Sequence, residues 1–269
     1  QKGKSNSTII AVRGMLAPSA RAIKATKKVL FLTIAKLTGL YKGVTFHATA
    51  AEEVAHIAEV LGNHHKILLA GNLSDGIVPP FLPLEKEDNT LRLICLARIA
   101  PEKNTLFALQ CLQHVSTDLH IDFYGTAYDA AYEKLCREEI DKLPANITAT
   151  WCGAIEKEGV HALLQNYHGL FLPSRGENFG HVILETLTAG RPVIISDQTP
   201  WKNLEEQSCG FDLPLDDEKI FAAAIDRIAA MDQVAFDKWC NAAYQKASAF
   251  INDPELEAAS IRLFDPAKK

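Results

Sequence analysis

Short apolar runs in this chain alternate with longer stretches in which apolar positions recur every three or four residues. Runs of the first kind read as buried strands and those of the second as amphipathic helices. Strands are expected at residues 8–12, 44–47 and 66–70, with a helix at 51–61. A fuller series follows, with strands expected at 91–96, 119–124, 147–151, 169–173 and 191–195. Helices are expected at 104–114, 130–142 and 157–167, then from Val182 to Gly190, and at 217–230 and 233–250. Alternating strands and helices predict an α/β protein with parallel sheets flanked by helices. Between the two series, 71–90 is rich in Pro, Gly and acids and reads as a linker. The expected boundaries are a partial first domain at 1–74, a linker at 75–90 and a second domain at 91–269.

One more helix is expected at about 19–40. Its apolar residues Ile23, Val29, Leu30, Ile34 and Leu37 fall near helical spacing with lysines between them. Charge sharpens the picture. Residues 1–50 hold nine Lys or Arg and no Asp or Glu, leaving 19 of the 28 basic residues against all 33 acids over the rest. Two readings stay open: a surface helix packed on a sheet, or a helix lying on an anionic membrane surface. Nucleic acid is not expected, because the basic stretch lacks interleaved aromatics and a known motif.

Composition adds exclusions. An apolar content of 48% with 23% charged residues is ordinary for a soluble globular protein. The longest apolar run, 29–35, is too short to span a bilayer, and nothing at the start reads as a signal peptide. The six cysteines form no C-x-x-C pair and are expected to be reduced core thiols in a cytoplasmic protein, soluble or peripheral on the inner face of the membrane. Histidines and acids do not cluster at metal-ligand spacing, so no metal site is expected.

The candidate chemistry centres on Pro173 to Pro192, PSRGENFGHVILETLTAGRP. A buried strand leads into a turn-rich loop carrying Glu177 and Asn178, and a helix follows. His181 and Glu185 are four apart and share its face. The backbone N–H groups from Gly180 to Ile183 are expected to open toward the same space, where a helix N-terminus favours phosphate. Two carboxylates beside an anion site suit a sugar-phosphate ligand. A second loop, after the 91–96 strand, carries Arg98 and Lys103. Two cations at a strand's carboxyl end suit a diphosphate.

These stretches resemble the retaining GT-B glycosyltransferases, in particular the large family four. The likeness rests on Glu177-Asn178-Phe179-Gly180, Glu185, Ala189-Gly190-Arg191-Pro192, and the Arg98/Lys103 spacing. It extends to Phe123-Tyr124-Gly125 and to Trp151-Cys152-Gly153-Ala154-Ile155. It departs at Ala97 and Asn178, where the family has Gly. The resemblance implies a GT-B, Rossmann-like fold with a truncated N-terminal, acceptor-side domain. It implies Glu177 at the donor sugar, Glu185 at the ribose, and Arg98 and Lys103 at the phosphates. It implies Gly125 and Gly153 to Ile155 at the nucleotide, and Asn178 to Ile183 around the substrate.

The expected function is transfer of a sugar from a nucleotide-diphospho-sugar, UDP or GDP, to a glycan or lipid-linked acceptor, as in cell-surface polysaccharide synthesis, with no cofactor. No Asp-x-Asp occurs, which argues against the metal-dependent GT-A alternative. Two alternatives stay open. One is a non-catalytic nucleotide-sugar-binding fragment. The other is a different GT-B enzyme, an epimerase or a glycogen/starch synthase-like protein.

Overall fold

The computed structural model describes residues 8–22, 25–73 and 78–264. It divides into two compact units, Gln1–Gly76 with Asp253–Lys269, and Ile77–Asn252.

The first unit opens with β1 (Ile9–Ala11), α1 (Pro18–Ala22), α2 (Ala25–Leu37), β2 (Thr45–Ala48), α3 (Ala51–Leu61) and β3 (Lys66–Leu69). The strands form a parallel sheet in the order β1-β2-β3. Ile57, Val60 and Leu61 recur at helical spacing, so α3 buries one face against Phe46 and Ala48 of β2.

The helix expected at 19–40 differs from this expectation. It appears as α1 and α2, and Ile23 and Lys24 lie outside the described residues. Its apolar positions do not face the core. Val29, Leu30, Ile34 and Leu37 are exposed, as is Phe31, and within α2 only Ala35 is buried, with Leu32 packed at the core's edge.

The second unit holds β4 (Thr90–Leu96), α4 (Thr105–Leu112), β5 (Asp118–Tyr124), α5 (Ala130–Ile140), β6 (Ile147–Gly153), α6 (Val160–Leu164), β7 (Gly169–Leu172), α7 (His181–Thr188), β8 (Val193–Ser196), β9 (Gly210–Leu213), α8 (Glu218–Ala229) and α9 (Gln233–Ile251). The last helix, α10 (Pro254–Phe264), belongs to the first unit. Asp129, Asp217 and Asp232 cap α5, α8 and α9 by accepting backbone N–H bonds in the first turn.

The six strands are parallel in the order β6-β5-β4-β7-β8-β9. Burial follows position. Every residue of β7 and β8 is buried, whereas the edge strand β6 alternates. After β4 the chain runs outward through β5 and β6, then returns to the other side of β4 for β7. The order in which strands are added therefore reverses between β4 and β7, the place where open α/β sheets hold ligands at the strands' carboxyl ends.

The stretch expected as a linker is tied along the second unit over its described part. The Arg191 guanidinium donates to Leu82 O at 2.7 Å and to Gln165 O at 2.8 Å. His168 donates to Glu85 O at 3.1 Å. Gln233 holds Lys86 N at 2.8 Å and Leu84 O at 3.1 Å, and the Lys86 ammonium caps the end of α8 at Ala229 O. Residues 78–84 are all Pro or apolar, and the bonds that Arg191, His168 and Gln233 donate to the strap are to its backbone carbonyls.

All six cysteines are free and five are buried; Cys152 is exposed, against the expectation of a core thiol. Burial pushes the Cys95 and Cys240 thiols up to about 12, which keeps them protonated and inert.

Candidate functional site

The loop after β4 leaves the sheet at Ala97 and makes a 3-10 turn over Pro101–Lys103. Asn104, left-handed and 3% exposed, ends that turn and starts α4. The turn aims Lys103 across the sheet's reversal. Its ammonium lies 2.6 Å from Glu177 Oε1, in the loop after β7. Both side chains are largely buried, at 21% and 11% exposure. Arg98 stays at the rim, 55% exposed, with its guanidinium 2.9 Å from Glu102 Oε1.

The two loops are bound to each other through residues outside the expected site. Arg175 N donates to Glu102 O, and Arg175 Nε donates to Asn104 Oδ1, both at 3.0 Å. Glu177 N donates to Gln198 O at 3.1 Å, which ties the loop to the exit of β8. Ser174, fully buried, gives its carbonyl to Ser196 Oγ at 2.5 Å. Arg175 and Ser174 lie within 173–192, where the sequence marks them only as part of a turn-rich loop. Nothing local to Asn104 or Gln198 marks them.

Gly125 and Gly153 close the other side. Gly125 N donates to Gly153 O at 2.7 Å, so the chain exits of β5 and β6 are joined. A Cβ on Gly125 would lie 1.9 Å from Ala97 O, so glycine is required by the packing of this exit against that of β4. Gly153 is different. Its φ of +76° is left-handed and nothing lies within 4 Å of a built Cβ. Ala154 beside it is exposed and Ile155 half-buried.

On the α7 side the predicted residues divide. Asn178 and Glu185 are half-buried and His181 is exposed, on the first turn of α7. Phe179 turns its ring into the core against Trp201 and Phe250, and its carbonyl accepts from Trp201 Nε1 at 2.7 Å. Ile183 is fully buried, and Val182 is half-buried. The expectation that backbone N–H groups open outward through Ile183 needs correcting. Ile183 N donates to Gly180 O at 2.9 Å, closing the first turn.

The structure thus brings Lys103, Glu177 and Arg98 to one edge, with Gly125 and Gly153 beside them. Cations with glycine-lined backbone suit a diphosphate, and a buried carboxylate suits sugar hydroxyls. The side chains of Phe179 and Ile183 serve packing.

Solved structures share this architecture at low identity. HepE of Anabaena, in complex with UDP-glucose, aligns with a TM-score of 0.76 at 16% identity, over 96% of this chain and 72% of that one. Sucrose-phosphate synthase of Thermosynechococcus elongatus gives 0.72 at 17%, over 97% and 67%. S. aureus TarM, in complex with Fondaparinux, alpha-GlcNAc-glycerol and UDP, gives 0.66 at 12%, over 82% of this chain and 44% of that one. The chain therefore spans under half the length of TarM and about seven tenths of HepE. No curated protein sequence matches. These likenesses show the GT-B fold. The sequence pattern of the glycosyl transferases group 1 matches residues 90–231, more than half of the 269, from the start of β4 through α8, and this chain belongs to that family.

Proposed function

We propose that the chain acts in retaining transfer of a sugar from a nucleotide-diphospho-sugar to a glycan or lipid-linked acceptor. The observation that carries this is the Lys103–Glu177 pair at the sheet's reversal, with Arg98 at its rim. As the glycosidic bond breaks, negative charge grows on the diphosphate and positive charge on the sugar. Arg98 and Lys103 meet the first, and preorganised donors of this kind contribute roughly 3–4 kcal/mol each at developing oxyanions. Glu177 orients the sugar. Glu185, Gly153, Ala154 and Ile155 hold the nucleoside, and Asn178, Gly180, His181 and Val182 line the sugar-phosphate path. UDP is favoured over GDP, because the HepE and TarM complexes carry uridine nucleotides. The first unit is the acceptor side. A cell-surface polysaccharide is the intended product, made at the inner face of the membrane.

A thermal-shift panel of UDP-, GDP- and ADP-sugars tests the reading. A shift with UDP-sugars and transfer to a glycan acceptor are expected. No shift with any nucleotide sugar would overturn it. A shift without transfer would favour the non-catalytic alternative.

The membrane part rests on a separate observation. Among the described residues no helix is long and apolar enough to cross a membrane. Yet Val29, Leu30, Phe31, Ile34, Leu37 and Leu40 are exposed alongside Lys27, Lys36 and Lys42. That mixture suits the surface of an anionic bilayer, at about 1 kcal/mol per basic residue. Co-sedimentation with anionic but not neutral liposomes is expected, lost on charge reversal at Lys27 and Lys36. Equal binding to both would refute it.

A further inference from the structure

The carboxyl ends of the three strands in the first unit carry a polar arrangement that the proposed donor site does not use. Just beyond β1, Arg13 has φ +51°. This left-handed conformation is uncommon for a long side chain and strains the backbone, whereas glycine would adopt it freely. The loop is nevertheless held firmly. Glu53, 4% exposed, accepts Gly14 N at 2.6 Å, Thr49 N at 2.7 Å and Thr49 Oγ1 at 3.0 Å. It thereby joins the exits of β1 and β2. The exit of β3 joins through Asn72, 7% exposed, whose Oδ1 accepts Arg13 Nη1 at 2.5 Å.

Among the described residues the charge of Arg13 is thus oriented without an acidic partner. The nearby carboxylate is occupied by Gly14 and Thr49, and among the described residues Arg13 enters no ion pair. Its side-chain partner among the described residues is a neutral amide. The residue itself is exposed. A guanidinium fixed at one nitrogen still presents further N–H donors in a planar fork, the geometry that matches phosphate or carboxylate. Its location, at the carboxyl edge of a parallel sheet, is where such sheets bind ligands.

We propose that Arg13 binds an oxyanion, phosphate or carboxylate, carried by the acceptor. Only the word acceptor rests on the transferase reading; the anion site stands on the geometry of the first unit.

The test is an NMR titration of inorganic phosphate and, separately, of glucuronate into the full chain. Excess UDP is present, so that any diphosphate site in the second unit is filled. Wild type is expected to shift at residues 13–16, 49 and 72 with at least one probe. Arg13→Gly keeps the left-handed backbone though it gives up the bond to Asn72, so it should stay folded while binding that probe at least tenfold more weakly; Arg13→Lys should fall between. Tighter phosphate binding assigns a phosphate-bearing acceptor, and tighter glucuronate binding an acidic sugar. No shift in this loop with either probe, or equal binding by Arg13→Gly, would overturn the proposal. Failure of UDP itself to bind would count against the transferase reading and leave the Arg13 comparison readable.

Discussion

Lys103 Nζ and Glu177 Oε1 meet at 2.6 Å although 74 residues separate them in the chain. The pair spans the reversal between β4 and β7, so each side chain answers the charge of the other. In the proposed function, donor binding would give each a new partner, a phosphate for Lys103 and sugar hydroxyls for Glu177.

That exchange makes the two proposed roles separable. Glu177→Gln should weaken the nucleotide sugar at least tenfold, about 1.4 kcal/mol. It should leave free UDP equal or slightly tighter, because Lys103 loses its competitor. Glu185→Gln should weaken both ligands. Calorimetry with UDP and UDP-glucose checks this, and equal losses for both ligands in Glu177→Gln would sink the division of roles.

Arg98 should matter to the ligand and not to the fold. Its ion pair with Glu102 is 55% exposed on the arginine side, where such pairs contribute at most about 1 kcal/mol. Arg98→Ala should therefore melt close to wild type while binding UDP at least tenfold more weakly. Lys103→Ala should lose UDP by a similar factor. Wild-type affinity in both variants would remove the phosphate clamp.

Gly125 and Gly153 should respond differently to the same change. Gly153→Ala costs only the left-handed backbone, about 1–2 kcal/mol, since nothing crowds the new Cβ. Gly125→Ala drives a Cβ into the Ala97 carbonyl and should destabilise much more, by shifting the exits of β4 and β5 together. Urea unfolding of the two variants decides it; equal losses would mean the close approach at Gly125 relaxes freely.

Arg191 should hold the strap. It is fully buried, and its guanidinium serves the Leu82 and Gln165 carbonyls. Arg191→Met leaves those acceptors without a donor, at about 1–3 kcal/mol each. Limited proteolysis should then cut within 78–86, which wild type protects. Unchanged protection would show that Gln233 and His168 hold the strap alone.

His168 predicts an acid limit. Its Nδ1 accepts Arg92 N at 2.8 Å and its Nε2 donates to Glu85 O, so the neutral ring carries its proton on Nε2. Burial lowers its pKa from 6.5 to about 4. Between those values the unfolded chain binds a proton that the folded chain refuses. The stabilisation is complete above pH 6.5 and is lost as pH falls toward 4, by about 3 kcal/mol. His168→Gln can make both bonds without titrating, so its stability should fall less over this window. Parallel curves for the two proteins would exclude His168 as the cause.

Much of the fold was legible in the chain. α3 stands at the expected residues, and the strands of the second unit lie within one or two positions of expectation. The apolar runs of β7 and β8 record burial on both faces, and the alternation in β5 and β6 records burial on one. β9 was missed because Gly210-Phe211-Asp212-Leu213 is short and polar at Asp212, whose carboxylate accepts Asn203 N and Leu204 N. α10 was missed as well.

The residues expected to carry chemistry were visible as types at suitable spacing, and the family follows from them. Spacing records only what lies within a turn or a loop. It did not show that Lys103 would reach Glu177, that Asn104 would hold Arg175, or that the Phe179 and Ile183 side chains would turn inward. It left open whether the apolar side of α2 is covered, because helical periodicity does not say whether a partner is there to cover it. The sequence marks 71–90 as a linker by its Pro, Gly and acids, and cannot show that Arg191, His168 and Gln233, distant in the chain, would fix 82–86 to the second unit. The sequence by itself determined the strands, the helices and the chemical kinds of residue at their ends. The order β6-β5-β4-β7-β8-β9 decided which ends meet, because only a parallel sheet that reverses between β4 and β7 sets those two loops side by side.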